Sequence, residues 1–124
     1  NICTNQALAA LASLVAILWY GKEGVHALAL TNYQRTAYLR EKLKQISGIK
    51  VYDKAPIFNE FVVQFDRPIA EVQGQFRAHG IEPGLELGQF FPQLSSCLLV
   101  AVTEVKSQEQ LDRYCAVVKK QNGN

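Results

Sequence analysis

An unbroken apolar run from Ala7 to Tyr20 constrains the fold of this chain more than any other feature. The run has no charged residue, so a helix formed from it has no polar face and needs to be buried all round. It is 14 residues long, short of the roughly 18 to 20 that cross a bilayer. Two interpretations remain: a helix buried inside a larger structure, or a helix that binds a partner. Because 124 residues offer little other material to cover it, we predict burial against a neighbour outside the chain.

Length and composition indicate a single soluble domain. The chain has 124 residues, of which 48% are hydrophobic, so it can form a core and is not disordered. Its net charge of +2 is too small to indicate a nucleic acid or an anionic membrane as a partner. The sequence lacks methionine and begins at Asn1, so we expect a processed chain or a piece of a longer protein.

The cysteines and histidines predict neither a disulfide framework nor a metal site. Cys3, Cys97 and Cys115 are odd in number, far apart, and form no CxxC pair. Free thiols in a reducing compartment, which here means the cytoplasm, are the simpler interpretation. His26 and His79 have no metal-ligand partner three or four residues away.

Hydrophobic periodicity predicts helices and strands after the apolar run. Thr4 suits the N-cap of the first helix, and Gly21 suits its end. Ser107 and Gln110 form a capping box, which predicts the start of the last helix. The other predicted elements are a helix over residues 25–47, strands over 49–51, 58–65 and 97–103, and a helix from Asp66-Arg67-Pro68 to Gly80.

These elements predict an α+β fold with a small three-stranded sheet, antiparallel or mixed, covered by helices. Residues 81–96 show no periodic pattern, and loops of that length in compact domains are usually functional or interfacial. We expect residues 1–47 to form two linking helices and residues 48–124 to form the small α+β domain.

Few residues indicate chemistry. The chain has no P-loop, HExxH or GxSxG motif, and no G-x-G-x-x-G follows a strand. Asn59 interrupts a strand on the face that also carries Phe61 and Val63, so it is either hydrogen-bonded internally or faces a cleft. Glu60 fits a solvent-facing strand position or the same cleft. Phe90-Phe91, within the patternless segment, is either an interface or an anchor in the domain's own core.

Five segments carry a resemblance to a known family. They are NICTNQALAALAS, GKEG, FNEFVVQF, GIEPGLELGQFFPQL and CLLVAVTE, in collinear order from Asn1 to about Lys120. The sequence resembles the P-protein of the glycine cleavage system, glycine dehydrogenase (decarboxylating), in its split two-subunit bacterial form. The similar region is the carboxy-terminal portion of subunit 1.

The resemblance implies the small carboxy-terminal domain of a fold-type I pyridoxal-phosphate enzyme, preceded by the helix that joins it to a large domain. The large domain and partner chains would then cover the apolar run. The implied reaction is decarboxylation of glycine on pyridoxal phosphate, with the aminomethyl group passed to the lipoyl arm of the H-protein. Subunit 2 and the H-protein are the implied partners, in an oligomeric complex without nucleic acid or membrane.

The resemblance also implies that this portion supplies no catalytic or cofactor-binding residue, because the cofactor lysine of the two-subunit form belongs to subunit 2. No cofactor-lysine motif surrounds the lysines at 22, 42, 44, 50 and 54. Many aminotransferases of this fold carry a substrate-carboxylate arginine in the strand ending in Val-Thr, where this chain has Leu99. The departure favours a supporting role.

The candidate site residues are therefore cleft or interface positions. Thr4 and Asn5 lie at the start of the linking helix, where backbone N–H groups suit an anion or a neighbouring loop, although an N-cap needs no function. The full set is Thr4, Asn5, Asn59, Glu60, Phe90 and Phe91. The alternative function is a freestanding α+β module that dimerises through the apolar helix.

Overall fold

The computed structural model describes residues 6–121, which fall into two compact units divided after Leu30. Helix α1 spans Ala7–Lys44 and crosses this division. Its backbone is not helical at Gly21, where φ is 63° and ψ is −179°. A positive φ is a conformation that favours glycine. The predicted interruption at Gly21 is confirmed, although the helix resumes directly after it.

The first unit consists of the apolar part of α1. Leu8, Leu18 and Trp19 are 80%, 73% and 86% exposed. By length and composition alone, α1 is apolar enough to cross a membrane, and its most apolar window is not buried. The uninterrupted piece before Gly21 is only about 21 Å long at about 1.5 Å per residue, which is less than the roughly 30 Å of a bilayer core. The apolar piece before Gly21 is therefore an uncovered surface that is by itself shorter than a full span.

The second unit contains a sheet of four antiparallel strands in the order β1-β2-β4-β3. Three strands were predicted, and the number is wrong by one because β3 has only two residues. A pair of residues is too short to show periodicity, and β3 is defined by its pairing with β4. The strands are β1 (Ile49–Val51), β2 (Glu60–Phe65), β3 (Leu85–Glu86) and β4 (Cys97–Ala101).

The segment over residues 81–96 is also more ordered than the sequence predicts. Besides β3 it holds two short 3-10 helices, Leu87–Gln89 and Pro92–Leu94. β2 begins at Glu60 rather than Phe58, and β4 ends at Ala101 rather than Thr103. The Val102 N–H still donates to the Asn59 carbonyl oxygen at 2.8 Å. The backbone pairing therefore extends one residue before the start of β2 and one residue after the end of β4.

Helices pack on one face of the sheet. Helix α2 spans Ile69–Ala78 and helix α3 spans Gln108–Gln121. The predicted capping box is present, since the Ser107 N–H donates to Gln110 Oε1 at 2.9 Å and the Gln110 N–H donates to Ser107 Oγ at 3.2 Å. The core brings together inward side chains of the sheet and of all three helices: Leu39, Leu43, Phe61, Val63, Phe65, Val72, Phe76, Leu98, Val100, Leu111 and Val118.

Candidate functional site

A groove of about 670 Å³ lies in the second unit, where β4 continues past the end of β3. Its walls come from β4, from the segment that precedes β3, and from the first half of α3. Most lining side chains are apolar, among them Ile81, Leu85, Leu99 and Leu111. A concave, mainly apolar surface of this size is typical of a binding site.

Two residues before β3 form one wall of this groove. Gly84 has a φ of 137°, and a Cβ built on it would lie 2.4 Å from the carbonyl oxygen of Leu99. Only glycine allows the backbone to approach β4 so closely. The Pro83 carbonyl oxygen accepts a hydrogen bond of 2.9 Å from the hydroxyl of Tyr114. Burial raises the pKa of Tyr114, so this hydroxyl stays a donor.

Asn59 and Glu60 are placed at this end of the sheet. Glu60 pairs with Ala101, is exposed, and lines the groove. Asn59 is half-buried immediately before β2, and its carbonyl oxygen accepts the Val102 N–H. The structure thus brings Glu60 into a cleft, with Asn59 beside it in the chain. A cleft or interface role for the two side chains stays a prediction.

Phe90 and Phe91 are not brought into the groove. They lie between the two 3-10 helices and are 61% and 49% exposed. Such exposure argues against an anchor in the domain's own core and leaves them as a predicted interface. Thr4 and Asn5 fall outside the described residues, as does Cys3. Cys97 and Cys115 are buried free thiols, as predicted for those two.

A polar cluster that the sequence did not single out fastens α1 to the end of the sheet. The Glu104 N–H donates to Asn32 Oδ1 at 3.0 Å, and the Arg35 guanidinium donates to the Glu104 carbonyl oxygen. The buried hydroxyl of Thr36 donates to the Asn32 carbonyl oxygen at 2.9 Å. The signal was available, because Asn32 and Thr36 continue the helical spacing of Leu39 and so share its buried face.

Lys42 and Lys44 are not suited to attach an aldehyde cofactor, because each is paired with a carboxylate. Lys42 lies 2.7 Å from Asp112, and Lys44 lies 2.9 Å from Asp53. Hydrogen bonds to these carboxylates raise the pKa of both ammonium groups. A lysine that forms a Schiff base instead needs a lowered pKa, reached by burial or a neighbouring cation. The residues present therefore do not fit pyridoxal phosphate bound through Lys42 or Lys44.

The ion pair between Lys42 and Asp112 makes the stability of the fold depend on pH in the acid range. The hydrogen bond from Lys42, followed by that from the Tyr38 hydroxyl, lowers the pKa of Asp112 from 3.8. A carboxylate with a lowered pKa stabilises the fold above its unfolded pKa and loses this contribution as the pH falls below it. Below about pH 4, we expect the free energy of unfolding of the Asp112→Asn variant to fall less steeply with decreasing pH than that of the unchanged chain.

Urea unfolding at a series of pH values measures this effect. The control is Asp66→Asn, because the ion pair of Asp66 with Arg67 is 3.6 Å long. This control shows how far the removal of one surface carboxylate by itself changes the acid dependence. Equal changes in the two variants would contradict the assignment to Asp112.

Solved structures share this fold. A glycine decarboxylase (P-protein) of the glycine cleavage system matches with a TM-score of 0.81 and 24% identity, over 97% of this chain and 27% of that one. A NifS-like protein matches with a TM-score of 0.64 and 13% identity, over 80% of this chain and 29% of the NifS-like chain. This chain therefore shares the α+β fold of part of these two proteins, and the predicted α+β fold class is confirmed.

The sequence defines the family more narrowly. The profile of the glycine cleavage system P-protein family matches residues 1–118, so the chain belongs to that family. It is 60% identical over 119 residues to "Probable glycine dehydrogenase (decarboxylating) subunit 1" of Protochlamydia amoebophila. A protein of the same name from Halalkalibacterium halodurans is 42% identical over 118 residues. The predicted family is confirmed, and a freestanding dimerising module is not favoured.

The chain is much shorter than these relatives. It spans 27% of the length of the Protochlamydia amoebophila protein and 26% of the Halalkalibacterium halodurans protein. About three quarters of a complete relative thus has no counterpart in these 124 residues.

Proposed function

We propose that this chain is the linking helix and small carboxy-terminal domain of glycine dehydrogenase (decarboxylating) subunit 1. In this role it supports the pyridoxal-phosphate-dependent decarboxylation of glycine in the glycine cleavage system and supplies no catalytic residue. The observation that carries the proposal is the family match over residues 1–118 in a chain that covers only 27% of its Protochlamydia amoebophila relative.

The exposed apolar helix supports a role inside a larger subunit. Exposed apolar patches of this extent mark interaction surfaces on soluble proteins. Leu11, Leu14 and Ile17 follow one another at helical spacing and are each more than half exposed. A large domain formed by the remaining three quarters of the subunit would cover them. Residues 1–47 then link the domains, and residues 48–124 form the small domain.

We place the cofactor on the partner, subunit 2. The carboxylate-paired lysines described above support this placement, since their pKa values are raised. Leu99 supports it as well, because a neutral side chain cannot pair with a substrate carboxylate. The proposed assembly is a cytoplasmic hetero-oligomer of subunits 1 and 2 that transfers the aminomethyl group to the lipoyl H-protein.

Reconstitution tests the proposal. This chain replaces the corresponding quarter of the Protochlamydia amoebophila subunit 1, and the chimaera is mixed with subunit 2 and lipoyl H-protein. We expect glycine-dependent release of carbon dioxide at a rate within about tenfold of the unchanged relative, because 60% identity conserves most interdomain contacts. The 124-residue chain alone should release none. An assembled chimaeric complex without activity would contradict the proposal.

A further inference from the structure

The hydrogen-bonding pattern of β4 leaves Ala101 without a strand neighbour on one side. The Val102 N–H donates to the Asn59 carbonyl oxygen, and the Ser96 carbonyl oxygen accepts the Phe65 N–H. In an antiparallel ladder the backbone groups of successive residues alternate between the two sides of a strand. The even-numbered residues of β4 therefore face β2, and the N–H and C=O of Leu99 and Ala101 point the other way.

On that side β3 provides a partner for Leu99 but not for Ala101. Leu85 pairs with Leu99 and is the first residue of β3, so a continued register would place Pro83 opposite Ala101. Proline has no N–H to donate to the Ala101 carbonyl oxygen. The Pro83 carbonyl oxygen accepts a hydrogen bond from the Tyr114 hydroxyl. Within residues 6–121, no backbone carbonyl oxygen accepts a hydrogen bond from the Ala101 N–H. One strand edge is thus open beside β3.

This open edge lies in the groove. Ala101 is one of the lining residues and is exposed. Gly84 lies so close to the Leu99 carbonyl oxygen that a Cβ would not fit between them, and the Pro83 carbonyl oxygen is bonded to Tyr114 rather than to Ala101. Half-exposed Leu85, with Leu99 and Ile81, supplies apolar surface on either side of the edge. An open backbone pair flanked by apolar side chains suits an added strand.

We propose that the outer edge of β4 at Ala101 is a docking site for an extended segment from the part of subunit 1 that lies outside these 124 residues. The segment pairs its backbone with the N–H and C=O of Ala101 and places apolar side chains in the groove. The length of polypeptide missing here, about three quarters of a relative, argues for this occupant over a separate protein. The inference rests on the proposed function, because it needs a longer subunit.

Amide hydrogen exchange tests the pairing. The measured quantity is the ratio of the exchange rates of Ala101 and Val100, first in the 124-residue chain and then in the complete subunit 1. Val100 is the internal control, because its N–H faces β2 in both. We expect the ratio to fall at least about tenfold in the complete subunit, since a new hydrogen bond protects Ala101 alone. An unchanged ratio would overturn the proposal.

Photo-crosslinking tests the identity of the occupant. The photoreactive p-benzoylphenylalanine replaces Leu85 in the complete subunit, and replaces Val105, an exposed residue outside the groove, in the control. We expect a crosslink from position 85 to an upstream peptide of the same polypeptide, and none from position 105 to that peptide. A crosslink to a second copy, to subunit 2 or to nothing overturns the assignment of the occupant.

The two proposals fail separately. An active reconstituted complex in which the Ala101 exchange ratio is unchanged overturns the docking site and leaves the proposed function standing. A complex that protects Ala101 but releases no carbon dioxide from glycine overturns the function and leaves the docking site standing.

Discussion

Replacement of Phe76 by alanine is expected to lower the free energy of unfolding by about 3 to 5 kcal/mol, the usual range for removing a fully buried phenylalanine. Phe76 lies on α2 with no exposed surface. Its ring centroid is 4.5 Å from that of Tyr114 on α3, at an interplanar angle of 41°. The substitution removes this aromatic pair and leaves a cavity between the two helices.

Urea unfolding of the 124-residue chain measures the loss. The matched control is Phe90→Ala, which makes the same chemical change at a side chain that is 61% exposed. We expect the control to change the free energy of unfolding by no more than about 0.5 kcal/mol. Similar losses in the two variants would contradict this difference in burial between Phe76 and Phe90.

Replacement of Gly84 by alanine is expected to cost about 3 kcal/mol or more, because it combines an unfavourable backbone conformation with a backbone clash. The φ of 137° is one that side-chain-bearing residues rarely adopt. The added Cβ would lie 2.4 Å from the Leu99 carbonyl oxygen, so β3 has to move away from β4. We therefore expect loss of the β3–β4 pairing along with the loss of stability.

Gly74→Ala is the control for this substitution and should have the opposite sign. Gly74 lies inside α2, and a Cβ there meets nothing within 4 Å. Alanine in a helix interior is about 0.5 to 1 kcal/mol more favourable than glycine. Thermal unfolding of the two variants makes the comparison. A Gly84→Ala variant as stable as the unchanged chain would contradict the described geometry of the groove.

Periodicity predicted the elements that repeat their own pattern. Ile69, Val72 and Phe76 recur at helical spacing, and all three are buried on α2. Phe61, Val63 and Phe65 occupy alternate positions, and all three are buried on β2. In each case a single face is buried over several residues, so the spacing of apolar residues in the local sequence predicts the element.

The groove could not be predicted in the same way. It depends on β3, a pair of residues recognisable only through its partner strand. Gly84 and Pro83 are visible in the sequence, but their roles arise from contacts with Leu99 and Tyr114, far along the chain. Such contacts are tertiary, and neither spacing nor composition encodes them. Glu60 was selected as a cleft candidate from its place in the strand, and its neighbours in the groove were not.

The apolar run of α1 is where sequence and structure support each other most closely. A helix without a polar face requires cover, and the described residues leave it exposed. The family match and the small share of the relatives' length supply the proposed explanation, namely a domain separated from the rest of its subunit. In that account these residues support catalysis that takes place elsewhere.

Borohydride reduction of the assembled complex, followed by mass spectrometry of its peptides, tests this account most directly. The complex contains the complete subunit 1 with this chain in place, subunit 2 and pyridoxal phosphate. The account predicts a single reduced lysine adduct, located in subunit 2. An adduct on any lysine of these 124 residues, whether Lys42, Lys44 or Lys106 beside the groove, would contradict it.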